Sequence, residues 1–196
     1  AGIDTDGSAL FTTACAYGGP SAMLDDCANV NAGITGGGAT VGAAYDFGTG
    51  LTAAFGAQTT ESAVFTDESL DAYALNAAYT ADSYGVSVTY GVVETSTTNE
   101  DTYTAFNAYY LPDGSGLPSL SVGYEIGDIG GAAATVDEKT SFMVGLSWDE
   151  VGPGSAGIAL GHSSTVEGSD EEYQYEAYYS YPINDGMTIT PLIYSK

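Results

Sequence analysis

Between Ser141 and Asp149 the chain reads SFMVGLSWD. Phe142, Val144, Leu146 and Trp148 take every second position, with Ser141, Gly145, Ser147 and Asp149 on the opposite parity. Leu120, Val122, Tyr124 and Ile126 alternate in the same way with Ser119, Ser121, Gly123 and Glu125. Val86, Val88, Tyr90 and Val92 alternate with Ser87, Thr89 and Gly91. Near the end of the chain Tyr173, Tyr175, Ala177, Tyr179 and Tyr181 alternate with Gln174, Glu176 and Ser180. After a polar turn the pattern resumes at Met187 and Ile189. A period of two means β-strand with unlike faces. This template predicts ten strands, over roughly 39–47, 51–60, 70–81, 84–95, 102–111, 120–127, 140–149, 157–163, 173–181 and 187–194. Their lengths cluster near nine to eleven residues, the length of a tilted strand across a bilayer. Strands of globular proteins average about five to six.

The connections sort into two sets. Short ones are rich in turn formers: Gly48-Thr49-Gly50, Asp82-Ser83, Pro112 to Gly116, Val151 to Gly154, and Ile183 to Gly186. Longer, acidic ones read ESAVFTDES, STTNED, DIGGAAATVDE and TVEGSDEE. The two sets alternate along the chain. That predicts an all-β fold, an antiparallel up-and-down sheet with tight turns at one end and long loops at the other, as in a transmembrane β-barrel or about ten strands of a larger one. A Greek-key sandwich would mix connection lengths.

Charge sharpens the reading of the polar face. There are 26 acidic residues against Lys139 and Lys196, with no Arg, giving a net charge of −24. Nucleic-acid binding requires clustered cationic side chains and is excluded. Burying Glu125, Glu176 and Asp149 unpaired would cost several kcal/mol each. With so few cations in the chain, these carboxylates are expected to face water inside a lumen. Asp46, Asn76, Glu125, Asp149, Gln174 and Glu176 are the candidate pore-lining residues, and a wall of carboxylates favours cations. Tyrosines, 16 in all, fall mostly toward strand ends on the apolar face. Aromatic girdles at a membrane interface have this placement, although tyrosine is also simply a good strand former.

Residues 1–38 carry no clean strand and form a Gly-rich unit ahead of the strands of 39–196. They are expected to be a loop, plug or lid. Cys15 and Cys27 lie within this unit, around the turn-forming Gly18-Gly19-Pro20. No further Cys or His stands near them to complete a zinc site. A disulfide between them would stabilise by roughly 3 kcal/mol and place the chain outside the cytoplasm; two free thiols are the alternative.

Catalytic constellations are missing. His162, the one histidine, reads as a rim or core polar residue, and no nucleophile-elbow, metalloprotease or phosphate-loop motif occurs. Asp4-Thr5-Asp6-Gly7 starts like a calcium loop but lacks the spacing that completes one. No enzyme activity and no cofactor are expected, beyond weak Ca²⁺ or Mg²⁺ at acidic loops.

FTTACAYGGPSAMLDDC, AAYDFGTGLTAAFG and the closing YYSYPINDGMTITPLIY resemble the porins of cyanobacterial outer membranes, related to the carbohydrate-selective OprB-like and iron-uptake porins. The resemblance implies an outer-membrane channel for passive diffusion, usually a homotrimer, whose partners are the lipid bilayer and small hydrophilic solutes. It also implies a longer protein, with a surface-layer-homology domain before these residues and strands after them. The rival expectation is a secreted, acidic, β-rich structural or filament-forming protein.

Overall fold

The computed structural model describes residues 2–4, 10–21, 24–34, 38–59, 70–114, 116–131 and 136–195. The loop expected over 61–69 and the Thr5, Asp6 and Gly7 of the calcium-loop-like start lie outside them. The strands are β1 (Gly2–Asp4), β2 (Ala39–Asp46), β3 (Leu51–Thr59), β4 (Asp71–Thr80), β5 (Tyr84–Ser96) and β6 (Asn99–Tyr110). They continue as β7 (Ser119–Asp128), β8 (Glu138–Val151), β9 (Gly154–Val166), β10 (Gln174–Asn184), β11 (Met187–Ile189) and β12 (Leu192–Ser195). Each pairs antiparallel with its sequence neighbour from β1 to β11, and β12 continues along the flank of β10. The chain is therefore all-β, a single up-and-down antiparallel sheet.

Four details depart from the sequence expectation. Residues 2–4, read as strandless, pair with Thr40 to Gly42 as β1. STTNED, read as a long loop, is mostly ladder: Glu94 pairs with Glu100 and Ser96 with Asn99, leaving only Thr97 and Thr98 to turn. Polar residues here extend the hairpin past its apolar band, so the end of alternation did not mark the end of the strand. The last strand breaks at Thr190 and Pro191, because proline brings no N–H to the ladder. Finally, the sheet stays open. Its outermost strands are three or four residues long, and β1 and β12 run in the same direction, so direct closure would need a parallel pair.

The ladder register explains the two faces. On one face Val88, Phe106, Tyr124, Phe142 and His162 form one rung across β5 to β9. This outer face is largely uncovered, and Val41, Phe55, Leu75, Val86, Phe106, Tyr124 and Leu160 are all exposed. Val144 is 43% exposed, so the row that a stacked sandwich would seal inside is open among the described residues. On the inner face Asn76, Thr89, Ala105, Glu125 and Ser141 form one rung across β4 to β8. Ser87, Asn107, Gly123, Met143, Gly161 and Gln174 form the next.

Residues 10–21 and 24–34 lie over this inner face as a strap. Ala14, Tyr17, Leu24, Cys27, Ala28, Ala32 and Ile34 are buried there, against Tyr103, Ala105, Met143 and Ala159 of the sheet. The core is thus irregular chain on sheet rather than sheet on sheet. Cys15 and Cys27 are joined by a disulfide, with 6.2 Å between their Cα atoms.

Candidate functional site: the polar inner face and its strap

A buried segment without its own strands must find partners for its N–H and C=O groups elsewhere. Here the inner face supplies them from side chains. Thr12 N donates to Asn76 Oδ1 at 3.1 Å, and Asn76 Nδ2 donates back to Thr12 O at 3.1 Å. Ala14 N donates to Ser87 Oγ at 2.9 Å. Ala16 N and Tyr17 N share Ser121 Oγ at 2.9 and 3.0 Å. Further along, Asn107 Nδ2 donates to Cys27 O at 2.6 Å and Ser141 Oγ to Ala28 O at 3.2 Å. Cys27 and Ala28 take positive φ (52° and 60°), so these two bonds hold a turn that L-residues seldom adopt.

Two carboxylates anchor the strap. Glu125 Oε2 accepts Asn31 N at 2.7 Å and Ala32 N at 2.8 Å, while Oε1 accepts Asn31 Nδ2 at 2.7 Å. Glu176 accepts Tyr17 Oη–H at 2.6 Å and Ser21 N at 2.9 Å. Both are 2% exposed. This corrects the expectation, drawn from the lack of cations in the sequence, that both face open water. That expectation weighed only ion pairs and solvent; N–H donors arriving from another segment are the third way to stabilise a buried carboxylate. Tyr17 is held neutral far above the ordinary phenol range, first by burial and then by its bond to Glu176 and the charge there. The carboxyl of Asp26 is pushed up mainly by burial, against the lowering effect of the Ala28 N–H bond, with the charges of Asp25 and Glu125 adding to the rise.

Glycines make the close approach possible. A Cβ at Gly123 would overlap Cys27 O, and one at Gly91 would overlap Ala32 O. Gly145 leaves room for the Tyr17 ring.

All six candidate pore-lining residues take inner-face positions, but in two settings. Asn76, Glu125, Gln174 and Glu176 are buried beneath or beside the strap. Asp46 and Asp149 are exposed at the tight-turn end, where Asp46 Oδ1 caps Gly48 N at 2.8 Å. Gln174 Nε2 donates to Ser163 Oγ at 3.1 Å. His162 is buried on the outer face in edge-to-face contact with Phe142 and Tyr173, and its Nδ1 lies 3.0 Å from Thr165 Oγ1.

Sequence reasoning missed Ser87, Asn107, Ser121 and Ser141 as docking groups. The readable signal was glycine recurring at polar-face positions of β5, β7, β8 and β9, at 91, 123, 145 and 161, which marks a close backbone neighbour. Among the described residues no three His, Cys, Asp or Glu side chains gather as metal ligands. Compared with protein-family models, with curated proteins and with solved structures, the chain matches none of them.

Proposed function

We propose that this chain serves as the wall and internal constriction of an outer-membrane channel for passive diffusion of small hydrophilic solutes, with cations preferred over anions. The observation that carries this reading is the contrast between the faces. Large apolar side chains stand exposed along the outer face of β2 to β10, while amides, hydroxyls and carboxylates turn inward. A water-soluble monomer rarely exposes so extended an apolar surface, whereas hydrocarbon covers it without penalty. Tyr45, Tyr84, Tyr110, Tyr175 and Tyr181 on that face suit the interfaces. The resemblance to cyanobacterial porins points the same way, and with it a homotrimer in the outer membrane.

The strap narrows the path rather than lining a wide one. Cation preference follows from the exposed inner-face carboxylates of Asp46 and Asp149 and from Lys139 being the sole lysine among the described residues, at the loop end of β8. The test is reconstitution of the purified protein into planar bilayers under a salt gradient. Discrete conductance steps with a cation-selective reversal potential are expected. Anion selectivity would remove the electrostatic part, and an absence of conductance with extraction by salt alone would remove the channel.

The open edges of β1 and β12 favour a second reading, a secreted subunit that pairs edge to edge and covers its apolar face with other copies. Extraction separates the two: a channel needs detergent, a filament subunit does not.

A further inference from the structure

The strap crosses the sheet and comes back. Its outward limb passes from Asn76 on β4 over Ser87 on β5 to Ser121 on β7. Its return limb is moored by Asn107, Ser141 and Glu125 on β6 to β8. The disulfide joins the limbs at Cys15 and Cys27, so the residues between them form a tip closed at its base, over β8 to β10. Beneath this tip the inner face is built largely of small residues. Met143 pairs with Gly161 and Gly161 with Gln174, Gly145 with Ala159 and Ala159 with Glu176, Ser147 with Gly157 and Gly157 with Tyr178. The tip fills the space they leave: the Tyr17 ring lies over Gly145, Leu24 Cδ2 over Gly161, and Gly19 against the Glu176 carboxylate. This track leads from Asp149, exposed at the tight-turn end, to Gln174 at the loop end. Gln174 is 4% exposed, and its Oε1 is buried with no hydrogen-bond partner, an acceptor left unspent.

We propose that the permeation path is this small-residue track along β8 to β10, and that the strap's tip is its gate, latched to β10 by Glu176. The inference rests on the channel reading and adds where solutes pass and what closes the way. With the tip seated, Gly145, Ala159, Gly161 and Glu176 are sealed from water. The segment from Gly18 to Ser21 is the part of the strap best placed to lift, because its residues are exposed or half-buried. β10 holds it down. Glu176 accepts Tyr17 Oη–H at 2.6 Å and Ser21 N at 2.9 Å, and Tyr178 Oη lies 3.4 Å from Gly18 O. Gly18 and Gly19 give this segment wide backbone freedom, while the disulfide keeps both limbs on their moorings. Lifting it bares Glu176 and Gln174, whose oxygens suit a hydrated cation.

The test is single-channel recording of the purified chain in planar bilayers, with amide hydrogen exchange of the same protein in detergent. Tyr17→Phe keeps the ring over Gly145 and deletes only the hydroxyl. It is expected to raise the open-to-closed ratio at least about tenfold, the weight of a hydrogen bond to a charged acceptor. Glu176→Gln should act in the same direction, and it decides the matter where Tyr17→Phe does not fold. Tyr173→Phe deletes a similar bond, to Glu171, away from the tip and leaves the ratio unchanged. Ser21 N–H should exchange faster than Asn31 and Ala32 N–H, and faster still in Tyr17→Phe. Channels with one open-to-closed ratio in wild type, Tyr17→Phe and Glu176→Gln overturn the gate and leave the channel standing, as does Ser21 exchange no faster than that of Asn31. No conductance in any variant removes the channel, and the gate with it.

Discussion

Glu125 shows how much rests on single side chains under the strap. Replacing it by Ala strands Asn31 N and Ala32 N without partners, and each buried orphan costs about 1–3 kcal/mol. Glu125→Ala is therefore expected to destabilise the protein by about 3 kcal/mol in denaturant unfolding, with Glu125→Gln nearer to wild type because an amide oxygen still accepts. Gly123→Val should lower Tm and expose 10–34 to protease, since the new side chain takes the place of Cys27 O. Asp26 gives a dependence on pH. Its folded-state pKa is raised above the ordinary 3.8, so the folded chain holds the proton more tightly than the unfolded one. The contribution to stability is full below 3.8 and is lost as pH rises through the raised value. Asp26→Asn should match wild type at the acid end and exceed it in stability at neutral pH. A variant that loses stability at neutral pH would show the Ala28 bond to matter more than the charge.

At the scale of elements, the strands were legible because lipid-like and polar faces enforce strict alternation, and a one-residue slip would exchange them. Leu120 to Ile126 and Phe142 to Trp148 needed nothing beyond their period. The hairpin through Thr97 and Thr98 was misread because polar residues pair as well as apolar ones once the strand has left the apolar band. The strap was illegible for a different reason. Its order comes from Asn76, Ser87, Ser121, Glu125 and Glu176, side chains 64 to 159 residues away, and no local pattern in 10–34 records them. Its staple was readable as a possibility. The disulfide closes a loop of sequence separation 12, worth about 3 kcal/mol in the chain-entropy picture. Cys15→Ser with Cys27→Ser should lose about that much stability, measured by the denaturation midpoint, while far-UV circular dichroism of the sheet stays unchanged. Loss of the β signal would make the staple a condition for the strands themselves.

On the scale of the whole molecule the strap reaches from β2, where Gly42 meets Leu10, to β10, where Glu176 holds Tyr17. It ties together strands that touch only their immediate neighbours in the ladder. The bond between Tyr17 and Glu176 spans 159 residues, and Ser21 to Glu176 spans 155. Such distant pairings form late and slowly. Synthesis therefore delivers the strap long before its last moorings exist, and a truncated chain ending at β9 would leave the Tyr17 hydroxyl and the Ser21 N–H without Glu176. The strap, first caught by β4 and β5, is made fast only once β10 has been added.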